Sequence, residues 1–321
     1  MDLVIVGSIG YDNIITPVAN GSELLGGAAV YAGLAATHHL PTLDDEPTRV
    51  GLVGVVGDDF SLYDQMILED SGLNLSGVSR LDGKTFRWSG RYEGAMETVE
   101  TISTEVNVLS EFEPKLPKVW KTPEILFCAS THPATQVAVL DQCPGAELTV
   151  LDTFLLWIET EFETLSSALR KVDIAIINEQ EACAIAGEKI LPNAMKLIIS
   201  GDALHGGSGA GSGPRALIVK RGSGGVLAML PGGLISLPSY PTGDVVDPTG
   251  CGDSFAGSFL AHLIGRRGVM NDIDSMRSAL IHATITASFT LSSIGISGLK
   301  NIDRGPYHAR LDRYRRIVGI Q

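Results

Sequence analysis

The sequence predicts an α/β fold with a doubly wound, mostly parallel sheet flanked by helices and a small β lid. Short apolar runs alternate with helix-length segments, which is typical of βαβ units. One stretch of alternating apolar and polar residues interrupts that order. The chain has 321 residues, of which 44% are hydrophobic, enough for one large core. We therefore expect residues 1–321 to form a single domain, with a lid from about 11–24 and 82–108.

The predicted elements follow from apolar runs and from helical spacing of apolar residues. The strands are Leu3–Val6, Arg49–Val56, Ile125–Cys128, Leu148–Leu151, Ile174–Ile177, Ala216–Lys220, Gly225–Leu230 and Gly233–Leu237. The helices are Gly26–His38, Phe60–Ser71, Ala134–Cys143, Ile158–Lys171, Glu179–Ala186, Asp253–Arg266, Ser275–Leu291 and Pro306–Ile317. The Gly/Ser-rich stretch Gly206–Gly213 is interpreted as a flexible surface loop.

The segment Lys84–Val108 carries the interruption. Phe86, Trp88 and Tyr92 alternate with polar residues, and the following residues are rich in Thr, Val and Ile. This pattern indicates one or two half-exposed antiparallel strands that leave the main sheet.

Charge and composition exclude several classes of protein. The formal net charge is −13 and the sequence pI about 4.9, so neither nucleic acid nor an anionic membrane is expected as a main partner. The four cysteines are scattered without a Cys-x-x-Cys pair, and the N-terminus lacks a basic signal region. The seven histidines include no His-x-x-x-His pair, so we expect surface or core roles for them rather than a metal cluster. We expect a cytoplasmic protein.

The strongest local signal is the stretch Asp247-Pro-Thr-Gly-Cys-Gly-Asp253. A glycine-rich turn that enters a helix exposes backbone N–H groups, here of Gly250, Cys251 and Gly252, to an anion at the positive end of the helix dipole. Asp253 would lie in the first helical turn, where a carboxylate can accept a hydroxyl proton while the N–H groups stabilise a transferring phosphoryl group. The alternative is that Asp253 only caps the helix.

Further polar residues follow predicted strands, at the edge where open α/β sheets bind ligands. Asp12 could accept hydrogen bonds from two hydroxyls of a polyol, or could simply form a turn. Glu181 could hold a magnesium-bound water, whereas helix capping is the preferred explanation of Asn178 from the residues alone. Lys220 could offer a positive charge to phosphates, or be solvated.

These motifs together resemble the ribokinase-like (PfkB) family of carbohydrate and nucleoside kinases. The resemblance rests on five matches in the family's order: Gly7-Ser-Ile-Gly-Tyr-Asp12, Gly26-Gly27-Ala-Ala29, Asn178-Glu-Gln-Glu181, Lys220-Arg-Gly222-Ser-Gly-Gly225 and Asp247-Pro-Thr-Gly-Cys-Gly-Asp253. The last departs from the family signature at Cys251, where alanine is usual. Other nucleotide motifs fail: Gly83-Lys84-Thr85 ends like a P-loop, but Val78 occupies the first glycine position.

The resemblance implies an ATP- and Mg2+-dependent kinase with Asp253 as the catalytic base. It implies an ATP site at Asn178, Lys220, Gly222 and Gly225, and a water-mediated magnesium site at Glu181. It places Asp12, Gly26, Gly27 and Tyr31 at the acceptor, together with Arg91 from the lid. Asp247, with Thr249 and a loop near Gly295, is similar to a monovalent-cation site, so K+ is a further expectation. Dimerisation through the lid is the expected assembly.

The acceptor is predicted less sharply. Counting from Gly26-Gly27, Tyr31 stands where ribokinases have an asparagine that touches the sugar, which disfavours ribose. An aromatic residue could stack on a base or on a pyranose face. A sugar is our first expectation and a nucleoside the second; a catalytically weak sugar-binding regulator is a third interpretation, which retention of Asp253 and its glycines disfavours.

Overall fold

The computed structural model describes residues 1–41, 48–266, 268–300 and 302–320. A nine-stranded sheet forms the centre of the protein, in the order β13-β12-β11-β10-β9-β8-β1-β4-β5. Its strands are β1 Leu3–Val6, β4 Val50–Val56, β5 Leu73–Arg80, β8 Ile125–Cys128, β9 Leu148–Leu151, β10 Ile174–Asn178, β11 Ala216–Lys220, β12 Val226–Leu230 and β13 Gly233–Leu237. All neighbours pair in parallel except β11–β12 and β12–β13. The predicted mostly parallel sheet is confirmed.

Helices cover both faces of this sheet. They are α1 Ala28–His39, α2 Leu62–Asp70, α3 Pro133–Gln142, α4 Leu155–Thr160, α5 Phe162–Lys171, α6 Glu179–Ala186, α7 Leu191–Ser200, α8 Cys251–Ala261, α9 Ile273–Leu291, α10 Ser297–Lys300 and α11 Arg304–Val318. One core cluster contains residues of α1, α8, α9 and α11; a second, on the opposite face, contains residues of α3, α5, α6 and α7. The fold is therefore doubly wound, as predicted.

A second, four-stranded sheet has the order β3-β2-β6-β7. Its strands are β2 Gly10–Ile15, β3 Asn20–Gly26, β6 Phe86–Tyr92 and β7 Val99–Glu105. Strands β2 and β6 pair in parallel, and the other two pairs are antiparallel. The sheet comes from the two segments predicted for the lid, and we call it the lid sheet.

Four elements differ from the prediction, and one of them is the short helix α10, Ser297–Lys300, which was not predicted. Strand β5 was not predicted, because only two of its eight residues are fully buried and its sequence lacks a clear apolar alternation. Helix α7 was not predicted either; its Pro192 lies in the first turn, where proline is tolerated. The single helix predicted over Ile158–Lys171 is two helices, because the backbone leaves the helical conformation at Glu161.

The Gly/Ser-rich stretch Gly206–Gly213 contains a short 3-10 turn over Ser208–Ala210. Arg170 donates hydrogen bonds to the carbonyl oxygens of Gly207 at 2.9 Å and Gly211 at 3.2 Å. The stretch is thus a surface loop with two defined attachments to α5. In the described part of the chain no helix is both long and apolar enough to cross a membrane.

Candidate active site

The glycine-rich turn before α8 has the geometry that an anion site needs. Gly250 adopts a left-handed conformation with φ +72°, and a Cβ there would come within 2.3 Å of the Tyr31 ring, so a glycine is required. The N–H of Cys251 donates to the Pro248 carbonyl at 3.2 Å, and the helical ladder begins with Ser254 N–H to the Gly250 carbonyl. Between Cys251 and Ser254, the first-turn N–H groups, above all that of Gly252, lie at the N-terminal end of the helix, where its dipole is positive.

Asp247 holds this turn in place. It is fully buried, and its two carboxylate oxygens accept hydrogen bonds from the backbone N–H groups of Thr249 and Gly295, each at 2.9 Å. The carboxylate therefore ties the turn to the loop that follows α9. Burial raises the pKa of Asp247, although the two N–H donors act against that shift.

The carboxyl ends of β9, β10 and β11 lie next to the same turn. Asn178 and Lys220 are directly paired in the β10–β11 register. The Lys220 ammonium bonds to Asp152, the first residue after β9, at 2.7 Å. A Cβ on Gly252 would lie 3.0 Å from Lys220 Nζ, so the ammonium reaches the anion turn itself.

One ammonium in this cluster serves three carboxyl groups. Burial, followed by the charge of Asp152, raises the pKa of Asp253 to about 6, while Lys220 acts against that shift. Burial and Asp152 likewise raise the pKa of Glu181 to about 8. Burial lowers the pKa of Lys220, but the three carboxylates outweigh it, so its net shift is upward. The excess of carboxyl oxygen over positive charge suits a hard divalent cation such as Mg2+.

Asn178 and Glu181 form a capping box at the start of α6. The Asn178 side chain accepts from Glu181 N–H, and the Glu181 side chain accepts from Asn178 N–H, both at 2.8 Å. The capping interpretation is thus what the structure shows for Asn178. It holds one oxygen of the buried Glu181 carboxyl, which lies close enough to Asp152 and Lys220 for their charges to act on its pKa.

Asp12 forms the other wall of the site. It is buried, its carboxyl accepts a hydrogen bond from Gly27 N–H, and a Cβ on Gly26 would lie only 2.0 Å from its Oδ2. Burial, with the charges of Asp247 and Asp253, raises the pKa of Asp12 to about 8. The predicted residues Asp12, Gly26 and Gly27 therefore form one unit close to the anion turn.

The lid sheet contacts the main domain beside this unit. The Thr249 hydroxyl bonds to the Tyr92 hydroxyl at 3.2 Å, and the Ser223 hydroxyl donates to Glu97 at 3.0 Å. The first contact joins the end of β6 to the anion turn, and the second joins the β6–β7 loop to the Gly222–Gly225 turn. Gly225, with φ +86°, could not carry a side chain there, because a Cβ would lie 2.1 Å from the Leu237 carbonyl.

Two predicted acceptor residues lie elsewhere. Arg91 neighbours Tyr92 on β6, so its side chain projects from the opposite face of the lid sheet and contacts Glu100 on β7 at 3.4 Å. Tyr31 is buried in α1 with its ring against Gly250, so it offers no ring face to an acceptor; its hydroxyl has no hydrogen-bond partner among the described residues.

Asp152 and Tyr92 were missed in the sequence. Asp152 follows a predicted strand directly, as Asn178 and Lys220 do, so the same strand-end argument would have found it. Tyr92 stands one residue from Arg91, and only the register of β6 decides which of the two faces the site.

Comparison with known proteins identifies the family. The model of the pfkB family carbohydrate kinases matches residues 2–299. A cytidine kinase from Thermococcus kodakarensis is 30% identical over 270 residues, which cover 81% of this chain and 88% of that protein.

Solved structures show the same fold. The Burkholderia thailandensis nucleoside kinase in complex with inosine is 18% identical with a TM-score of 0.74, covering 97% of this chain and 98% of that one. An E. coli protein assigned as a ribokinase II, in complex with ATP and Mg2+, is 17% identical with a TM-score of 0.73, covering 97% and 99%. The family match over nearly the whole chain shows that this protein belongs to the pfkB family of carbohydrate kinases and is an ATP-dependent phosphotransferase with a sugar or nucleoside as acceptor.

Proposed function

We propose that the protein transfers the γ-phosphoryl group of ATP to a ribose hydroxyl of a nucleoside. The observation that carries the choice of acceptor is the shared face of Asp12 and Trp88 on the lid sheet. These residues are paired in the parallel β2–β6 register, so their side chains project from the same side. Tyr92 is four residues after Trp88 on β6, so its side chain projects from the same face, and it contacts Thr249 in the anion turn.

Trp88 offers the flat surface that a nucleobase needs. A Cβ on Gly90 would lie 2.1 Å from the indole, so the ring lies along the strand over a residue without a side chain. The indole is only partly buried. A base stacked on it would leave the ribose hydroxyls at the Asp12 carboxylate, and base–aromatic stacking contributes about 1–3 kcal/mol. The cytidine kinase relative supports the same class of acceptor.

The site residues have distinct roles in the transfer. Asp253 accepts the proton of the attacking hydroxyl, whose oxygen forms the new bond to the γ-phosphorus while the bond to ADP breaks. The N–H groups of Gly250, Cys251 and Gly252 and the Lys220 ammonium stabilise the transferring phosphoryl group, with Cys251 contributing least because it already donates to Pro248.

The nucleotide is proposed to lie along the strand ends. Asn178 and Lys220 would contact its phosphates. The turn that contains Gly222 and Gly225 would lie beside it. Glu181 and Asp152 would hold Mg2+ through water, and the ion, when bound, offsets phosphate charge. The three buried carboxyl groups around one ammonium support this placement.

A panel of acceptors tests the proposal. With ATP and Mg2+, we expect ADP release with cytidine, uridine, inosine or adenosine at a higher kcat/KM than with ribose or fructose. Trp88→Ala should raise the nucleoside KM about tenfold or more and leave the ATP KM unchanged, whereas Trp88→Phe should retain most of the affinity. Preference for a free sugar would overturn the nucleoside assignment. Absence of acceptor-dependent ADP release with every compound would favour a sugar-binding regulator.

Potassium is proposed as an activator that binds near Asp247. The fully buried carboxylate beside Thr249 and Gly295 supports it, since no positively charged group is among the causes that act on its pKa. Equal kcat in potassium and in tetramethylammonium chloride would argue against such a site.

We propose a homodimer through the lid sheet. Every residue of β7 is exposed, and Val99 and Ile102 are 38% and 48% exposed. This strand pairs with β6 on one side and forms the edge of the lid sheet on the other. A sedimentation coefficient of a monomer at micromolar concentration would contradict it. We also propose a cytoplasmic setting, which supplies ATP and keeps the four free cysteines reduced.

A further inference from the structure

Three histidines from three helices meet at the end of the molecule away from the anion turn. His39 is the last residue of α1, His262 is the C-cap of α8, and His282 lies in the middle of α9. One ring nitrogen of each lies within 4.8 Å of the other two. The sequence contains no spacing that predicts this group, because each residue comes from a different helix. The sequence analysis, which expected surface or core roles for the histidines, did not foresee that these three lie together.

In each ring one nitrogen takes part in a hydrogen bond, which leaves the other available as a ligand. His262 Nδ1 lies 2.9 Å from the Ser258 carbonyl, which can only accept, so Nδ1 carries the proton and Nε2 keeps its lone pair. His39 Nε2 lies 2.8 Å from Thr286 Oγ1, whose own hydrogen is directed to Ser258 Oγ at 3.0 Å. His39 Nδ1 is then the free nitrogen. A histidine that donates its second N–H to a carbonyl or hydroxyl is the usual arrangement around a bound metal.

The third ring is held in the same manner. His282 Nδ1 lies 2.7 Å from the Tyr307 hydroxyl, which can accept its proton and leave Nε2 free. The three rings are already packed on one another: His262 and His282 are stacked with centroids 4.0 Å apart, and the His39 and His262 centroids are 4.4 Å apart.

We propose that His39, His262 and His282 form a binding site for a divalent transition-metal ion, with zinc as the representative. Imidazole nitrogens suit zinc, and three histidines plus water complete its tetrahedral coordination. Zn–N bonds of about 2.0–2.1 Å place ligand nitrogens roughly 3.4 Å apart. Metal binding would therefore require the ligand nitrogens, which lie within 4.8 Å of one another, to move closer through rotation of the rings about their broad χ2 torsions.

The surroundings select the type of ion. His39 and His262 lie at the C-terminal ends of α1 and α8, where the helix dipole is negative and favours a cation. Arg266 and Arg315 lie close enough to act on His282 with positive charge, and among the described residues the site has no carboxylate ligand. Mg2+ and Ca2+ prefer oxygen ligands, which the three imidazole rings do not supply. The site therefore differs in ion class from the magnesium site of the kinase.

The ion would join two helices that carry the active-site turns at their other ends. Helix α1 begins just after Gly27, and α8 begins just after Gly250. The two helices touch backbone to backbone, since a Cβ on Gly257 would lie 2.0 Å from the Ala32 carbonyl. A metal at their C-terminal ends would thus fix the packing of α1 against α8, and it would act as a structural ion rather than a catalytic one.

Zinc binding to the EDTA-stripped full chain tests the proposal without an activity readout. Competition with a chromophoric chelator should show one Zn2+ per chain, unaffected by millimolar Mg2+, and the melting temperature should rise with zinc. His39→Gln, His262→Gln and His282→Gln should each weaken binding by about tenfold or more. The exposed histidine variant His205→Gln, on a distant loop, should bind as the wild type does.

Two further results decide the case. Co2+ bound to the wild type should give the intense visible absorption of tetrahedral coordination, which needs no variant to fold. Equal zinc affinity in the three cluster variants and His205→Gln, or no stoichiometric binding by the wild type, would show that the rings serve only as packing between the helices.

Discussion

The phosphate side and the acceptor side of the site are built in different ways. Asp152, Asn178 and Lys220 stand at the ends of three adjacent buried strands, and Asp253 begins a helix that is packed within the core. The proposed acceptor side lies on a separate sheet. Asp12, Trp88 and Tyr92 come from the lid sheet, whose outer strand is wholly exposed. In the proposed function, the chemistry of phosphoryl transfer is thus assigned to the core, while recognition of the acceptor is assigned to the lid sheet.

The contacts between the two sides follow the same division. The lid sheet meets the phosphate side through single hydrogen bonds, such as Tyr92 to Thr249 and Ser223 to Glu97. By contrast, α1 and α8 pack so closely that glycine is required at Gly257. We therefore expect substitutions on the phosphate side to affect catalysis itself, and those on the lid side to affect mainly acceptor affinity.

The largest effect is expected at Asp253. Asp253→Asn retains the shape of the side chain but cannot accept the hydroxyl proton, and the loss of a positioned base should lower kcat by roughly 10²–10⁴. The affinity for ATP, measured by calorimetry, should change only a few-fold. The exposed acid Asp244 in the same loop offers a matched control, and Asp244→Asn should keep wild-type kinetics. Near-normal turnover of Asp253→Asn would reduce Asp253 to a helix cap.

Asp12→Ala comes next and should act on the acceptor alone. Charge-assisted hydrogen bonds are each worth about 1.5–3 kcal/mol, so losing two should raise the acceptor KM by roughly 10²-fold or more. Asp12→Asn should be milder, because its amide oxygen can still accept. Asp70→Ala, at an exposed position of α2, controls for loss of a carboxylate. A rise confined to the ATP KM would place Asp12 outside the acceptor pocket.

The phosphate side could be largely predicted from the sequence. Parallel strands bring their carboxyl ends to one edge, so Asn178 and Lys220 could be placed together from strand assignments alone. The glycines before Asp253 likewise predicted a helix N-terminus. The exact partner of Lys220 could not be predicted, because the order of β9, β10 and β11 in the sheet is a tertiary property.

The lid side was harder to predict, because single-residue register decides its chemistry. Arg91 and Tyr92 are neighbours, yet only Tyr92 reaches the anion turn. Tyr31 illustrates a second difficulty: its position in α1 fits an acceptor contact, but the close approach of α1 to α8 buries its ring against Gly250. Helix packing of that kind leaves no local signal in the sequence.

The pH dependence of kcat/KM for ATP, measured with saturating acceptor so that Asp12 is already occupied, provides a sharper test of the phosphate side. Asp253 must be ionised to act as a base, and burial with the Asp152 charge raises its pKa to about 6. Because a raised pKa keeps the acid protonated to higher pH, kcat/KM should fall about tenfold per unit below pH 6. Lys220→Met removes the ammonium that opposes this shift, so the acidic limb should move to higher pH. An acidic limb that remains near pH 4 in both proteins would contradict this coupling.

The smallest effect is expected at Tyr92, where the lid meets the anion turn. Tyr92→Phe removes one neutral hydrogen bond to Thr249, worth about 0.5–1.5 kcal/mol, so the acceptor KM should rise roughly 3–10-fold with little change in kcat. Amide hydrogen exchange supplies the structural readout. Strands β6 and β7 should exchange faster than β8 to β10 in the free enzyme and gain protection with a bound acceptor, and Tyr92→Phe should reduce that gain. Tyr63→Phe, at an exposed tyrosine of α2, should leave both measurements unchanged. If protection of β6 and β7 already equals that of the core and does not respond to the acceptor, the lid sheet is a rigid part of the fold, and the division between the two sides of the site loses its dynamic basis.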